Sequence, residues 1–317
     1  MLTGGDPVLV TAAEKEQIGY EVPAGVQRPS RQRLVLAHRA EIDAVVQPLV
    51  EDQLGRQVEL GTINATVPWS EVSLTYRTVD EPVLAGTAYV GIASDGSATG
   101  IERIDENTVA RLTVEGLYLM AYRERITQMR EYLAATYPQF TAPPAGYLDA
   151  IASADPMFRV TDYYQYGEQR NVEEIYADTD TIYQEYLADP DRTDAEWAAL
   201  LDAVLEGREM ELTVDLMLAD PQAELTEDLS RQVADDVRTN PVFTGFGSWF
   251  VNTRSNLIAR DGTGFYDFHQ MFLFDADTER PDEVWSVDYW EDGGTIWGKL
   301  DGGETWTMSG ASGGSTS

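Results

Sequence analysis

Apolar residues recur at three- and four-residue intervals between about Asn107 and Tyr137, and this spacing predicts one long helix. The residues that carry the spacing are Leu112, Leu119, Met120, Ile126, Met129 and Leu133. A shorter helix is predicted over residues 38–54, where Pro48 is expected to introduce a kink. Between the two helices, residues 56–104 alternate polar and apolar side chains between Gly, Pro and Asp-Gly turns, which predicts strands.

The second half of the chain begins with helical spacing and ends in strands. Helices are predicted over residues 171–188, 193–206 and 226–238. Thr193 and Glu196 form a capping-box pattern, which indicates where the second of these helices begins. A strand is predicted over residues 210–218, and from Val242 onward alternation and Asp-Gly turns predict an antiparallel meander. The strands of the meander are predicted at 248–260, 264–275, 283–291, 295–300 and 304–308.

Helices and strands come in blocks rather than in strict alternation. This order favours an α+β fold with antiparallel sheets, segregated helices and a C-terminal β-meander. The proline-rich stretch from Pro138 to Gly146 is the best candidate for a domain boundary. The expected parts are an extended N-terminal tether at 1–20, an α+β domain at 21–140 with the long helix at about 107–137, a second α+β domain at 147–308, and a flexible Gly/Ser tail at 309–317.

The charge of the chain predicts a protein adapted to high salt. The chain has 55 acidic and 22 basic residues, a net charge of −33, and only two lysines, Lys15 and Lys299. Such a surface repels itself in dilute buffer, whereas molar salt shortens the Debye length to a few ångströms. Acidic residues in place of lysine also remove the exposed apolar methylene chain that each lysine side chain carries. We therefore expect a halophilic protein whose counter-cations are K⁺ or Na⁺.

The same charge limits the partners that the chain can bind. No basic stripe is present to neutralise phosphates, which argues against nucleic acid and against direct attraction to anionic lipids. No apolar stretch is long enough to predict a membrane span, and the absence of cysteine removes disulfides and thiolate chemistry. The expected partner is an unknown protein or a polar small molecule.

The start of the chain carries a short pattern of its own. Residues 2–7 read Leu-Thr-Gly-Gly-Asp-Pro, and residues 18–21 read Ile-Gly-Tyr-Glu. This start resembles that of mature haloarchaeal lipoproteins, just after their lipidated cysteine, whose place Met1 would take. The resemblance implies an ectodomain on the extracellular face of a haloarchaeal cell membrane, held there only by a lipid anchor. The alternative is a cytoplasmic start codon followed by a flexible tail.

The motifs of nucleotide binding and catalysis occur only in incomplete form. Gly293 to Lys299 matches the glycines and lysine of a P-loop, but Leu300 replaces the Ser or Thr that would hold Mg²⁺. The Gly-x-Ser-x-Gly pattern at 310–314 lies in the Gly/Ser tail, where no nucleophile elbow can form. Residues 301–306, Asp-Gly-Gly-Glu-Thr-Trp, resemble the Asp-box turn of sialidases and other β-propellers, where the box is a structural turn.

No catalytic residue, metal ligand or cofactor is predicted. His38 and His269 are the only histidines, and neither lies in a triad or a metal-ligand pattern. Acid pairs separated by one residue are expected by chance in so acidic a chain, so a glycosidase-like pair is conceivable but cannot be located.

Tyrosine is the one locally enriched residue type. Tyr176 and Tyr183 are seven residues apart and fit the core stripe of a helix. Tyr163, Tyr164 and Tyr166 fall in an irregular stretch and are the predicted ligand-binding residues, because tyrosine gives a large amphipathic contact at low entropy cost. The tryptophans of the meander are a second candidate surface, unless alternation buries them. They are Trp249, Trp285, Trp290 and Trp297.

Three classes of function follow from these patterns. The first is an extracytoplasmic halophilic binding or structural protein of unknown ligand, lipid-anchored at its N-terminus. The second is a secreted hydrolase that uses an unrecognised carboxylate pair. The third is a structural component of a halophilic virus or of a cell-surface assembly. The missing nucleophile, metal and phosphate motifs favour the first and third classes.

Overall fold

Two larger sheets with helices packed on them, and two short two-stranded sheets, make up the described part of the chain. The computed structural model describes residues 9–14, 35–64, 71–103, 106–144, 154–161, 172–205, 211–246, 248–259, 267–273, 283–288, 295–299 and 305–309.

The first sheet follows the first helix directly. Helix α1 (Arg39–Leu54) ends at Gly55, whose φ of 65° is the left-handed conformation that favours glycine at this position. The next strands are β2 (Val58–Asn64), β3 (Glu71–Thr78), β4 (Ala85–Ile92) and β5 (Ala98–Arg103). They form a four-stranded antiparallel sheet in chain order. The helix predicted at 38–54 and the strands predicted within 56–104 are therefore confirmed.

Helix α1 packs on this sheet through residues four apart. Ile42, Val46 and Val50 are fully buried and belong to one hydrophobic cluster with apolar residues of β2, β3 and β4. Pro48 lies inside the helix on its exposed side. The apolar stripe thus fixes which face of α1 meets the sheet.

The long helix predicted at 107–137 consists of two helices. These are α2 (Glu106–Ala121) and α3 (Arg123–Thr136), with an interruption at Tyr122, where φ is −105° and ψ is 19°. Backbone hydrogen bonds from Tyr122 to Tyr118 and from Ile126 to Tyr122 cross the interruption. The Tyr122 hydroxyl donates to the carboxylate of Asp202, and its ring packs edge-on against Phe246. Contacts with distant residues therefore accompany the interruption, which periodicity alone did not predict.

The remaining elements form the second, longer sheet, its helices and strands of the two short sheets. In chain order they are β6 (Phe140–Thr141), β7 (Phe158–Thr161), α4 (Val172–Ala188), α5 (Asp194–Val204), β8 (Glu211–Leu218), α6 (Glu227–Thr239), β9 (Ser248–Arg254), β10 (Ile258–Ala259), β11 (Asp267–Leu273), β12 (Glu283–Asp288), β13 (Thr295–Lys299) and β14 (Thr305–Ser309). The predicted capping box is present at α5, where Glu196 accepts from the Thr193 backbone at 2.8 Å and Thr193 accepts from the Glu196 backbone.

The long sheet has the strand order β12-β11-β9-β8-β6, and β7 also pairs with β8. Strands β9, β11 and β12 are the antiparallel start of the predicted meander, whereas β13 and β14 form a separate hairpin. The pair β8 and β9 is parallel, because the chain crosses over through α6 between them. The predicted α+β class is confirmed. Among the described strands, β8 and β9 are the one parallel pair, and the other pairs are antiparallel as predicted.

Helix α2 contributes to the two larger hydrophobic clusters of the described residues. Leu112 belongs to the cluster of the first sheet, whereas Val114 and Leu117 belong to the cluster of the long sheet. On either side of the predicted boundary at 138–146, Leu133 and Phe158 lie in the same second cluster. The hydrophobic packing therefore changes along α2, and the division into domains stays a prediction.

Residues 9–14 are the described part of the predicted N-terminal tether, and they contact strands β8 and β10. Strand β1 (Leu9–Val10) pairs with β10. Ala12 is fully buried against Met217 and Ile258, and its backbone N–H donates to the Asn256 side chain at 3.1 Å.

Candidate functional site

Only some of the sequence-predicted site residues can be placed. Tyr163, Tyr164 and Tyr166 lie outside the described residues, as does Trp290. Trp285 and Trp297 lie on strands β12 and β13. Trp249 is buried, and its ring packs edge-on against Phe243 and Phe246. Of the two alternatives left open for Trp249, burial by strand alternation is the one that holds, so this residue is not part of the candidate surface.

Strand β8 brings together a different set of side chains. Leu212, Val214 and Leu216 alternate along it and are buried in the hydrophobic cluster under the helices. Because side chains of a strand alternate between faces, Thr213 and Asp215 lie on the opposite face of the sheet. Both are buried, and Asp215 is 0% exposed. A fully buried carboxylate in a central strand requires polar partners.

Asp215 receives hydrogen bonds from three side chains on the two neighbouring strands. Arg159 of β7 donates to Oδ2 from Nε at 2.8 Å and approaches the same oxygen with Nη2 at 2.5 Å. On the other side, Asn252 of β9 donates to Oδ1 at 3.0 Å, and Arg254 donates to Oδ1 through Nη2. The backbone N–H of Asp215 donates to the Met157 carbonyl at 2.8 Å.

The strand register explains why these side chains converge. Asn252 lies directly opposite Asp215 in the parallel pair, and Arg254 lies opposite Met217, one diagonal step towards the end of β8. Arg159 lies opposite Thr213, one diagonal step in the other direction. Long side chains on diagonal neighbours can reach each other across a sheet. The two guanidinium groups therefore approach the carboxylate from opposite sides.

We call this surface the polar face, defined by Arg159, Thr213, Asp215, Asn252 and Arg254. Its polar atoms are well sheltered, since Asn252 is 2% exposed and the side chains of Arg159 and Arg254 are 10% and 11% exposed. Truncating one member of such a buried ion pair typically costs ~3–5 kcal/mol, because it leaves a charge without its partner.

Two residues that neighbour the polar face in the sheet differ in exposure, since one is partly exposed to solvent and the other is buried. Phe250, opposite Thr213 in the register, is partly exposed. At the other end, Met217 is buried against Ala12 of the N-terminal segment. The face therefore lies between a partly open side and a side closed by the N-terminal segment.

A second carboxylate with several partners lies between α3 and α6. The hydroxyls of Tyr132 and Tyr137 lie 2.7 and 2.8 Å from Oδ2 of Asp236. Burial raises the pKa of Tyr137 well above its usual range, and the hydrogen bond to Asp236 raises it further. These contacts tie α6 to α3.

Within the residues that the structure describes, no group of three or more His, Asp or Glu side chains is placed to hold a metal ion. His38 contacts Glu41 at 3.0 Å on α1. Among the same residues, no helix is long and apolar enough to cross a membrane.

One feature of the sequence indicates a buried polar residue on the polar face. The segment Glu-Leu-Thr-Val-Asp-Leu-Met-Leu at 211–218 was predicted as a strand, and a charged residue amid alternating apolar ones marks a buried polar contact. Arg159 and Asn252 carried no such signal, because the strand pairing that brings them to Asp215 is not a local pattern.

Comparison with known proteins gives a family and a fold. Residues 9–269 match the family model described as a protein of unknown function, DUF1672. A crystal structure of a DUF1672 family protein from Staphylococcus aureus subsp. aureus Mu50 superimposes with a TM-score of 0.54 at 10% identity, covering 90% of this chain and 100% of that one. No curated protein matches this sequence.

These findings correct the resemblance drawn from the N-terminus. The assignment to a haloarchaeal lipoprotein family was wrong, because the match extends over residues 9–269 and the solved relative is bacterial. A six-residue spacer of small and polar residues was too short to identify a family. This chain belongs to the DUF1672 family.

Proposed function

We propose that this chain is a binding protein without catalytic activity, adapted to high ionic strength, and that the polar face is its recognition surface. The observation that supports this is the position of Asp215. It is fully buried in a central strand and orients two arginines and an asparagine on the sheet face opposite the helices. An apolar residue would pack there at lower cost if the face served only as core.

The contacts of Asp215 favour binding over catalysis. Both of its carboxylate oxygens already accept hydrogen bonds, Oδ1 from Asn252 and Arg254 and Oδ2 from Arg159. A general base needs a lone pair directed at the proton that it removes. Asp215 instead fixes the orientation of the two guanidinium groups, which is the role of a positioning residue in a binding site.

The charge distribution supports adaptation to salt. The chain carries a net charge of −33, and many of the described arginines pair with carboxylates on the surface. Exposed pairs of this kind contribute little individually, whereas the excess of carboxylates is repulsive in dilute buffer. Screening by salt removes that repulsion.

Location outside the cytoplasm, with a lipid anchor at the N-terminus, stays a prediction. Its support is the small and polar spacer at residues 2–7. Mass spectrometry of the N-terminal peptide, purified from the native host, tests it. A diacylglyceryl modification would support the anchor, and an unmodified peptide recovered from the soluble fraction would contradict it.

The proposed recognition surface can be tested with single cysteines, since the chain has none of its own. Thr213→Cys places a thiol on the polar face, and Val214→Cys places one on the adjacent helix-packed face. Both positions are almost fully buried, so they form a matched pair. Labelling with iodoacetamide in high salt should be about tenfold faster at position 213, because a binding face must admit solutes.

Rates are compared with those of the urea-unfolded variants, which removes differences in intrinsic thiol reactivity. Equal protection of the two thiols in the folded protein would show that the polar face is closed core, and would overturn its assignment as a recognition surface.

A further inference from the structure

The exposed side of helix α1 carries apolar side chains, although the chain as a whole is rich in carboxylates. Five large apolar residues are exposed in the described part of the chain, and three of them lie within residues 36–49. These three are Leu36, Val45 and Leu49, at 42%, 37% and 46% exposure. Ala44 and Pro48, beside the last two, are exposed as well. Single exposed apolar residues are ordinary, whereas several on one face indicate a contact surface.

We propose that this side of α1 binds a cationic amphipathic helix of a partner protein. We call it the α1 stripe, defined by Ala44, Val45, Pro48 and Leu49. It is separate from the polar face, because α1 packs on the first sheet and the polar face belongs to the long sheet. Binding at the α1 stripe therefore goes beyond the proposed recognition surface and does not depend on it.

The spacing of the α1 stripe fits pairing with another helix. Residues 41, 45, 48 and 52 are separated by four, three and four positions, which is the spacing of the contact positions in a pair of helices. Positions 45 and 48 are the apolar centre of this series, and Leu49 lies one turn along from Val45. The first sheet already covers the opposite side of α1. The helix thus has two apolar sides, of which the sheet covers one.

The charges at the ends of the α1 stripe determine which partner fits. Glu41 and Asp52 take the end positions of the same series, and both are exposed, although Glu41 also contacts His38 through Oε2. At 1.5 Å per residue they lie about 17 Å apart along the helix. A partner helix with an apolar centre and a lysine or arginine towards each end brings opposite charges to both positions. Because Pro48 has no N–H, the Ala44 carbonyl lacks its usual donor from that position and can accept from a cationic side chain.

The same charges argue against two other occupants. If two copies of the chain paired through this stripe, Glu41 would meet the partner's Glu41 in a parallel pair and the partner's Asp52 in an antiparallel one. An anionic lipid surface would likewise meet carboxylates at both ends. At molar salt the Debye length is ~3 Å, so charges act only near contact, where these like charges would lie. A cationic helix is the occupant that the charges favour.

Fluorescence anisotropy of a labelled peptide, titrated with the full chain in about 3 M KCl, tests the proposal. The probe is a peptide of about three heptads, with leucine at the two contact positions of each heptad and lysine at the flanking positions. High salt suppresses non-specific attraction of this peptide to a chain with a net charge of −33. We expect saturable binding to the unmodified protein, and no binding of the same peptide with glutamate in place of lysine.

Leu49→Ser should raise the dissociation constant of the lysine peptide by about tenfold, because this leucine would be buried in the complex. The matched control is Leu187→Ser, which removes a leucine of similar exposure, 56% against 46%, from helix α4, which packs against α2 and α5. This control should bind as the unmodified protein does. The double variant Glu41→Gln, Asp52→Asn should bind about threefold more weakly, as expected for the loss of two exposed ion pairs. Circular dichroism confirms the fold of each variant before titration.

The proposal is overturned if the folded, unmodified protein does not bind the lysine peptide, or if the glutamate peptide binds equally well. It is also overturned if Leu49→Ser binds as tightly as Leu187→Ser. Sedimentation velocity in the same salt tests for a second copy, and flotation with phosphatidylglycerol vesicles tests for a lipid surface. Self-association or vesicle binding that Leu49→Ser abolishes and Leu187→Ser preserves would assign the α1 stripe to that occupant instead. None of these outcomes alters the thiol labelling at position 213, so the two proposals fail separately.

Discussion

At the scale of single residues, Tyr76 shows how burial changes the chemistry of a side chain. Its ring lies in the first hydrophobic cluster, at 1% exposure, and its hydroxyl is buried without a hydrogen-bond partner among the described residues. Gly86, opposite Tyr76 in the sheet, makes room for it, since a Cβ there would lie 2.7 Å from the hydroxyl. Burial raises the pKa of Tyr76 from 10.0 to about 12, although Arg111 acts in the opposite direction.

Tyr76 should therefore make the protein sensitive to alkali. Below pH 10 both the folded and the unfolded chain hold the phenolic proton, so the pKa difference has no effect on stability there. Between pH 10 and about 12 only the folded chain holds it, which favours unfolding as the pH rises. Tyr76→Phe should remove this part of the alkaline loss. The substitution should also be neutral or stabilising at pH 8, because it deletes a buried hydroxyl without a partner.

The measurement is the free energy of urea unfolding at pH 8, 10 and 11.5 for both proteins. Other tyrosines contribute to both profiles, so the informative quantity is the difference between the two. If the profiles remain parallel across the alkaline range, the hydroxyl of Tyr76 is hydrated in the folded protein and this account is wrong.

At the scale of elements, Gly116 decides how closely α2 approaches the loop between β3 and β4. A Cβ at this buried glycine would lie 2.6 Å from the Val83 carbonyl oxygen and 3.3 Å from Pro82. The contact is reinforced nearby, where Arg123 pairs with Glu81 at 2.7 Å and with Asp194 at 2.7 Å. A helix glycine that looks unfavourable in isolation therefore permits a tertiary contact.

Gly116→Ala should destabilise the protein by ~1–3 kcal/mol, since backbone atoms must move apart to admit the methyl group. Helix propensity alone predicts the opposite sign, a gain of ~1 kcal/mol. The midpoint of urea unfolding separates the two, with an unchanged slope as the check that only stability has altered. If Gly116→Ala were more stable than the unmodified protein, the loop between β3 and β4 would have to move aside without loss of stability.

The same scale shows what the sequence can and cannot predict. The helices at 38–54 and 226–238 and the strand at 210–218 follow from local spacing and were predicted within a few residues. The interruption at Tyr122 and the parallel pairing of β8 with β9 were not predicted, because the first involves Asp202 and Phe246 and the second involves strand order. The polar face was missed for the same reason, since Arg159 and Asp215 are 56 residues apart.

At the scale of the whole molecule, the net charge of −33 should govern stability. We expect the melting temperature to rise between about 0.1 M and 3 M KCl, because screening removes repulsion among the carboxylates. Sucrose is the control, since it favours compact states by exclusion but does not screen charge. The rise in KCl should exceed that in sucrose at equal osmolality. A flat or falling profile in KCl would contradict adaptation to salt.

Helix α2 has a further consequence for the molecule as a whole. Leu112 and Leu117 lie on the same helix but belong to different hydrophobic clusters. If the core of one half of the molecule unfolded together with α2, apolar residues of the other half's core would be exposed to solvent. We therefore expect the two halves to unfold as one cooperative unit, although the chain is long enough for two independent ones. Such coupling would disfavour partial opening, and with it the half-folded states through which large acidic proteins aggregate or are cleaved.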